Sequence, residues 1–594
     1  MHARQSPGDH GVRKYSTKQA TFAIPVRRQT PGDPSFKVIT PLSQAEVDTR
    51  LRAHERSTKI ERPPGACLVA RYDTNTVASN DPIEDKHAEV IVERDRGVDE
   101  PLPKSTQPPD APRGDLCFFT VMDGHGGPDT STMLSEKLVA FVALELDKVF
   151  RETGEYAKMG RSHVSTTSAI WHSLFGGDKN AASHRLATSA LDGDPAIVQR
   201  AIVKGFRGLD KEIVTTPLEL LKQCELSLAA AKTSHIAAPG EATNSLSSLA
   251  HTIWPSNISG QASSSPFVTV SQTTAQDAML PALSGSCALM LYVDSARRDL
   301  YVANTGDSRA VAGYWDERNS RWEVEALSVD QTGRNPEELK RIQREHPSDE
   351  NDTVIQRGRV LGGLEPTRAF GDARYKWDAS TQKRLYDAFW PGGYTKLRPP
   401  PRNLKTPPYV TAEPVVAYRK VTLAQPEAHD AHHASPQTAA PQRQLRFIIM
   451  ASDGLWDLMS NQEAVGLVAG HLAGIRGTVR AADLQQRCFQ PATPAPAPAT
   501  SERAEDEKPQ HPLNKSPNHL QSFTFEDDNL STHLLRNAFG GAARERVQGL
   551  LAIPSPESRR YRDDITVNVI LFHTTQPARG DTKAPVSDPA RAKL

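Results

Sequence analysis

The chain has 594 residues, which is long enough for one large domain or several smaller ones. Its 71 lysines and arginines balance 71 aspartates and glutamates, so it lacks the basic excess that is typical of nucleic-acid-binding proteins. No uninterrupted apolar run approaches the roughly 18–20 residues of a membrane-spanning helix, and we expect a soluble protein without a transmembrane span.

The N-terminal segment, residues 1–55, begins with a basic and acid-poor stretch that is compatible with a mitochondrial presequence. The string Arg13-Lys14-Tyr15-Ser16 resembles a presequence processing site. A proline and two glycines among residues 7–11 would interrupt an amphipathic helix, which leaves a basic tail on a cytoplasmic protein as the alternative. We predict a mitochondrial location.

Regular elements follow in clusters along the chain. Runs of apolar, β-branched and aromatic residues predict strands at 116–122, 286–293, 299–304, 445–451 and 564–572. Apolar residues at helical spacing predict helices at about 132–152, 196–224, 335–346, 461–475 and 530–538. Because strands and helices do not alternate strictly, the pattern favours an α+β fold with a layered β-core covered by helices.

Several stretches have a composition that is typical of insertions and tails. They are rich in Ser, Thr, Ala, Pro, His or Gln, and such sequences cannot bury enough apolar surface to order themselves. We predict a domain over 56–573 with low-complexity insertions near 155–280, 424–443 and 489–520, and a disordered tail at 574–594.

Acidic residues stand where the predicted strands begin or end. Asp123, Asp307 and Asp453 follow strands, and Asp563 directly precedes the last one. A single aspartate at a strand end usually forms a turn. If these strands share a sheet, however, their ends can gather the carboxylates at one place, where like charges repel unless a cation compensates them. All-oxygen ligands suit Mg²⁺ or Mn²⁺ better than zinc.

The stretch "VMDGHGG" fits such a site. Asp123 can bridge two ions, and Gly124 lets its backbone carbonyl approach one of them. His125 lies one residue beyond and could donate or accept a proton. A lone histidine is more often an ordinary loop residue, but its position between Asp-Gly and Gly-Gly favours a catalytic role.

Other hydrolytic chemistries find no support in the sequence. No cysteine has an arginine six positions later, so a Cys-x5-Arg phosphatase loop is absent, and the lack of a Gly-Lys dipeptide excludes a Walker A loop. The five cysteines are far apart and never in Cys-x-x-Cys spacing. This argues against a disulfide framework or a structural zinc site and favours a reducing compartment.

The acidic and glycine-rich motifs resemble those of one enzyme family. In order, the chain contains "VMDGHGG", "SGSCA", "ANTGDSRA", "PTRAFGD", "ASDGLWD" and "RDDITV", as do metal-dependent serine/threonine protein phosphatases of the 2C (PPM) type. The resemblance runs from about residue 65 to residue 573. It implies a central β-sandwich of two antiparallel sheets flanked by helices, with the metal cleft at one end.

The resemblance also assigns roles to residues. Asp123, the carbonyl of Gly124, Asp453 and Asp563 would hold two Mg²⁺ or Mn²⁺ ions. By the same resemblance Glu84 and Asp85 hold metal-bound water, Asp307 belongs to a weaker third ion, and His125 protonates the leaving serine or threonine oxygen. A water made acidic by the ions would attack phosphorus in line, without a phosphoenzyme.

Two departures from the common pattern resemble one subgroup. Many members have a phosphate-binding arginine where this chain has Asn80, and the last motif usually reads Asp-Asn where this chain has Asp563-Asp564. Both features resemble the pyruvate dehydrogenase phosphatases and their fungal mitochondrial relatives. This implies a phosphoserine of the pyruvate dehydrogenase E1α subunit as substrate. Arg71 is a candidate for the missing phosphate contact, and Arg368 is expected to brace the fold.

Three alternatives stay open at this point. The first is a cytosolic or nuclear signalling phosphatase with the same chemistry. The second is an interaction protein that has kept the fold and lost activity, against which stands the presence of Asp123, Asp453, Asp563 and His125. The third, a two-metal nuclease, would need a basic face for nucleic acid that the composition does not supply.

Overall fold

Two antiparallel sheets form the centre of the protein in the computed structural model, which describes residues 21–26, 36–62, 66–93, 114–152, 194–234, 271–390, 398–421, 443–490 and 522–573. The five-stranded sheet has the order Val415–Lys420, Asp299–Thr305, Ala288–Asp294, Leu116–Met122, Lys86–Val92. The six-stranded sheet has the order Arg321–Ala326, Arg309–Asp316, Arg443–Ala451, Ile565–Phe572, Val69–Val77, Arg56–Lys59.

Alternating side chains within the central strands create the layers. Every residue of Leu116–Met122 is buried. Phe119 and Val121 pack between the two sheets, whereas Phe118 and Met122 pack beneath the helices. Because both faces of such a strand are covered, its sequence reads as a continuous apolar run.

Helices cover the outer faces of both sheets. Asp129–Glu152 and Pro195–Ser234 pack on the five-stranded sheet, and Asn461–Leu472 and Leu530–Phe539 on the six-stranded sheet. The remaining α-helices in the described residues are Gln44–Arg52, Gln272–Leu283, Pro336–Glu345, Asn351–Val354, Ala379–Phe389, Asp453–Trp456, Ala481–Phe489 and Arg544–Ala552. Short 3-10 helices span Ser348–Glu350, Ala373–Tyr375 and Glu557–Arg560.

Short strands complete the described structure. A three-stranded sheet has the order Phe370–Gly371, Gly285–Ser286, Gly124–His125, and it lies directly beside the strand-end acids. Three two-stranded sheets pair Phe22–Pro25 with Phe36–Ile39, Ile355–Gln356 with Arg359–Val360, and Gly477–Arg480 with Ser522–Phe525.

The described part of the N-terminal segment packs on this core. Ile24, Val47 and Leu51 belong to the same apolar cluster as Leu534 and Val567. Residues 1–20 and 27–35, and with them the predicted presequence, lie outside the described residues.

The predicted α+β sandwich is confirmed, as are the five strands and five helices that the sequence predicted. The helix predicted at 196–224 extends from Pro195 to Ser234 and lies within the range 155–280. A second helix, Gln272–Leu283, begins in the same range, so the range 155–280 is not insertion throughout. Residues 155–193 and 235–270, and most of the segments 424–443 and 489–520, lie outside the described residues. Within the described ranges, no helix is long and apolar enough to span a membrane.

Candidate active site

The strand order explains why distant aspartates meet. Leu116–Met122 and Asp299–Thr305 are each antiparallel to the strand between them, so they run in the same direction and end at the same edge of the sheet. In the other sheet, Arg443–Ala451 pairs antiparallel with Ile565–Phe572, so the end of one lies beside the start of the other. Aspartates placed at these ends therefore share one end of the sandwich.

Three carboxylates come together there. Asp123, Asp307 and Asp453 each offer an oxygen, and these oxygens lie within 4.8 Å of one another. They line a cleft of about 650 Å³, to which Asp563 and His125 also contribute. The backbone N–H of Asp453 donates to Asp123 Oδ2 at 3.4 Å. The structure thus brings the predicted acids to a single cleft, with Asp307 inside the tight cluster.

Burial and mutual repulsion make this cluster costly as a set of free carboxylates. Burial, and then the charge of Asp85, raises the pKa of Asp123 well above its usual value. Burial and the charge of Asp453 raise the pKa of Asp307 to about 7, and the pKa of Asp453 itself is raised by burial and by Asp123. Divalent cations would relieve this repulsion, and the all-oxygen donor set fits Mg²⁺ or Mn²⁺.

Glu84 and Asp85, the acidic pair behind the cluster, accept hydrogen bonds from different loops. Glu84 Oε1 accepts from the backbone N–H of Gly127 at 2.7 Å, which ties Glu84 to the loop that carries Asp123. Asp85 is buried, and its Oδ2 accepts from Ser452 Oγ at 2.8 Å. In the described part of the chain, Asp85 Oδ1 is buried without a hydrogen-bond donor. Burial and the charge of Asp564 raise the pKa of Asp85 to about 8. A buried carboxylate oxygen without a donor also fits a nearby cation or its water ligands.

Gly124 must be a glycine because of its neighbours. A Cβ built there would lie 2.8 Å from Ser131 Oγ and 2.9 Å from the carbonyl carbon of Glu84. The loop of Asp123 and the loop of Glu84 therefore approach each other more closely than any larger residue would permit.

Asp564 is a positioning residue whose role the sequence did not reveal. Its Oδ1 accepts from the backbone N–H groups of Ser79 and Asn80 at 2.5 and 2.8 Å, and its Oδ2 from that of Glu84 at 2.8 Å. The side chain of Asn80 donates to Asp564 Oδ2 at 3.1 Å and to Glu84 Oε2 at 2.9 Å. The two departures from the common motif, at positions 80 and 564, are thus hydrogen-bonded to each other.

His125 is paired with a second residue that we did not single out. Its Nε2 lies 2.7 Å from Asp372 Oδ2. Burial alone would lower the pKa of His125, but the charge and the hydrogen bond of Asp372 raise it to about 9. Asp372 is the last residue of the "PTRAFGD" motif, so the motif itself was the signal that could have identified it.

The two arginines considered from the sequence lie elsewhere. Arg368 is buried and binds Glu338 through Nε and Nη2, at 3.0 and 2.7 Å, so it braces the fold as predicted. Arg71 binds both carboxylate oxygens of Asp73 and does not line the cleft. The structure does not favour Arg71 as the phosphate contact, because its guanidinium is held within its own strand and away from the residues that line the cleft.

The remaining motif residues have structural contacts. Ser284 Oγ donates to the carbonyl of Leu280 at 2.8 Å. His533, Arg536 and Asn537 are buried in the helix Leu530–Phe539, and none of them lines the cleft. No catalytic role was assigned to them from the sequence.

Comparisons with known proteins find one family of similar sequences. The family model of protein phosphatase 2C matches residues 256–502. The chain is 33% identical over 543 residues to the mitochondrial [pyruvate dehydrogenase [acetyl-transferring]]-phosphatase 1 of Saccharomyces cerevisiae, covering 89% of this chain and 73% of that relative. It is 32% identical to a protein phosphatase 2C homologue of Schizosaccharomyces pombe, covering 95% and 93%. The human [pyruvate dehydrogenase [acetyl-transferring]]-phosphatase 1 is 28% identical, with 90% and 83% covered.

Proposed function

Because the chain belongs to the protein phosphatase 2C family, we propose that its carboxylate cleft holds the catalytic cations and that its substrate is phosphorylated pyruvate dehydrogenase. The protein is a serine/threonine protein phosphatase of a metal-dependent family. The observation that carries the site assignment is the convergence of Asp123, Asp307 and Asp453 within 4.8 Å in the cleft.

We assign the cation ligands by this convergence and by the family motifs. Asp123, Asp453 and Asp563, with the carbonyl of Gly124, would hold two Mg²⁺ or Mn²⁺ ions, and Asp307 would belong to a weaker third ion. Such ions lower the pKa of a water molecule and offset the charge that develops on the phosphoryl oxygens. Glu84 and Asp85 fix the loops behind the cluster through Gly127 and Ser452, and they would accept hydrogen bonds from water molecules bound to the cations.

His125 supplies the proton for the leaving group. Its Nε2 proton is engaged by Asp372, whose charge keeps the imidazole protonated by raising its pKa to about 9, against the effect of burial. The proton on Nδ1 is then the one that His125 gives to the leaving serine or threonine oxygen. A serine alkoxide is a poor leaving group, so this proton transfer is worth about 10² to 10⁴ in rate.

Two independent features support a pyruvate dehydrogenase substrate and a mitochondrial location. Relatives from yeast and mammals are named mitochondrial pyruvate dehydrogenase phosphatases. The basic and acid-poor N-terminal sequence is compatible with a presequence. The catalytic domain, predicted from the sequence at residues 56–573 and extended by the N-terminal residues that pack on its core, would act on a phosphoserine of the E1α subunit within its complex.

The test compares two phosphoproteins. The purified protein is given phosphorylated pyruvate dehydrogenase complex, or an unrelated phosphoserine protein, with Mg²⁺ or Mn²⁺ and with EDTA. Faster release from the complex that EDTA abolishes supports the chemistry and the substrate. Equal release from both proteins would keep the phosphatase and reject the substrate, in favour of a cytosolic or nuclear signalling role. No release from either protein would indicate an inactive member of the family.

A further inference from the structure

The carboxylates of the cleft cannot themselves bind the phosphoryl group of a substrate. A phosphoryl group is a dianion, and it must approach a cluster of acids. Arginine is the side chain best suited to bind it, because its planar fork can donate to two phosphoryl oxygens at once. In the described part of the chain the arginines that line the cleft are Arg359, Arg374, Arg398 and Arg559.

Three of these arginines are poorly placed for the scissile phosphate. Arg359 forms an ion pair with Glu365 and donates to the carbonyl of Gly363. Arg374 donates to the carbonyl of Pro399. Like Arg398, both lie close enough to Tyr375 for their charges to act on it.

Arg559 differs because it reaches the carboxylates. It stands in the 3-10 helix Glu557–Arg560, one turn before Asp563, and its Nη1 forms an ion pair with Asp563 Oδ1. Its charge also opposes the rise in the pKa of Asp453 that burial and Asp123 cause. The side chain remains 42% exposed, so a substrate in the cleft can touch it.

The backbone of Arg559 is fastened to the segment that carries Asn80. Ser558 Oγ donates to the carbonyl of Ser79 at 2.6 Å, and Ser79 Oγ donates to the carbonyl of Arg562 at 2.7 Å. Arg559 and Asn80 are therefore each next to a residue that takes part in these hydrogen bonds. The side chain of Asn80 itself donates hydrogen bonds to Glu84 and Asp564.

We propose that Arg559 binds the phosphoryl group of the substrate in the cleft. Asp563 is the partner of Arg559 in this structure, and an Asp563 that served as a cation ligand would hold the guanidinium less tightly. The fork of Arg559 could then donate to phosphoryl oxygens in the cleft that both residues line. This inference rests on the proposed function, since it presupposes a phosphoester in the cleft.

Equilibrium binding of inorganic phosphate tests the proposal without turnover. Phosphate is titrated by calorimetry into Mg²⁺-saturated wild type and Arg559→Gln, and Mg²⁺ is titrated separately without phosphate. We expect the phosphate Kd of Arg559→Gln to rise about tenfold or more, the loss of a charge-assisted hydrogen bond, with the Mg²⁺ Kd within about twofold. The matched control is Arg560→Gln, because Arg560 is exposed and donates to the carbonyl of Pro25.

The outcomes show whether Arg559 binds phosphate or only stabilises Asp563. An unchanged phosphate Kd in Arg559→Gln would overturn the proposal, and so would a rise that is matched by an equal rise in the Mg²⁺ Kd, because Arg559 would then act only on Asp563. If Arg559→Gln does not fold, Arg559→Lys serves instead, with an expected rise of about threefold from the lost fork and the same criteria. Wild type that neither binds phosphate nor hydrolyses phosphoserine would refute the proposed function itself.

Discussion

Replacing Gly285 by alanine should separate His125 from Asp372 while both residues stay unsubstituted. A Cβ at this position would lie 2.7 Å from Asp372 Cγ, and closer still to His125 Nε2 and Asp372 Oδ2. Real Cβ atoms essentially never approach other heavy atoms to less than 3.0 Å, so the added methyl group must wedge the pair apart. The hydrogen bond of 2.7 Å between them is then lost.

The magnitude follows from the role of that bond. General acid catalysis contributes about 10² to 10⁴ in rate, and a misplaced imidazole should forfeit much of it. We expect kcat for a phosphoserine peptide to fall by about a hundredfold. With p-nitrophenyl phosphate, whose leaving group needs little protonation, the fall should stay within about threefold. Overpacking should also lower the free energy of unfolding by about 1–3 kcal/mol.

The assay compares kcat for the two substrates in wild type and in Gly285→Ala. Gly208→Ala is the matched control, because its added Cβ would meet only Phe141, at 3.6 Å. The control should leave both rates unchanged. If Gly285→Ala lost the same factor on both substrates, or kept full activity on the peptide, His125 would not be the proton donor that Asp372 positions.

Three further changes test other parts of the molecule. His125→Ala should slow the phosphoserine peptide by about 10² or more and the aryl phosphate much less, in steady-state kinetics; equal losses on both would argue against the general-acid role. Asp564→Asn should lower the free energy of unfolding by about 1–3 kcal/mol, because an amide cannot accept all the N–H groups that the carboxylate accepts. Urea unfolding measures this, with the exposed Asp528→Asn as control, and equal stability of the two variants would contradict it. Replacing residues 491–520 by a short Gly-Ser linker should shift the melting temperature by no more than about 2 °C, since that composition cannot form a core; a drop of ten degrees or so would place the segment in the core.

The sequence allowed the core strands to be predicted because they are buried on both faces. Leu116–Met122 and Ala288–Asp294 are buried along their whole length, and their sequences are apolar at nearly every position. The strand Val69–Val77 was missed because polar residues occupy its buried positions. Asp73 accepts from the backbone N–H of Leu530 at 2.8 Å. The hydrogen-bond donor for this buried carboxylate therefore comes from a helix almost 460 residues later in the chain.

In the site, too, only residues with a local sequence pattern could be predicted. Ligand candidates such as Asp123 and Asp453 could be predicted, because aspartate at a strand end beside glycine is a local pattern. The residues that orient them could not, since Asp372 and Asp564 act through contacts that exist only in the folded chain. Arg559 is a similar case. It lies four residues before Asp563, but only the fold shows that both line the cleft.

The phosphate released from a phosphoserine peptide by Asp453→Asn, at saturating Mn²⁺, tests the central claim most directly. Asp453 lies in the carboxylate cluster, and asparagine keeps its size while removing its charge. The account predicts a loss of at least about a hundredfold in turnover, with the fold retained and the melting temperature unchanged or higher because repulsion with Asp123 is relieved. Turnover close to that of wild type would contradict the assignment of this cleft as the metal-dependent active site.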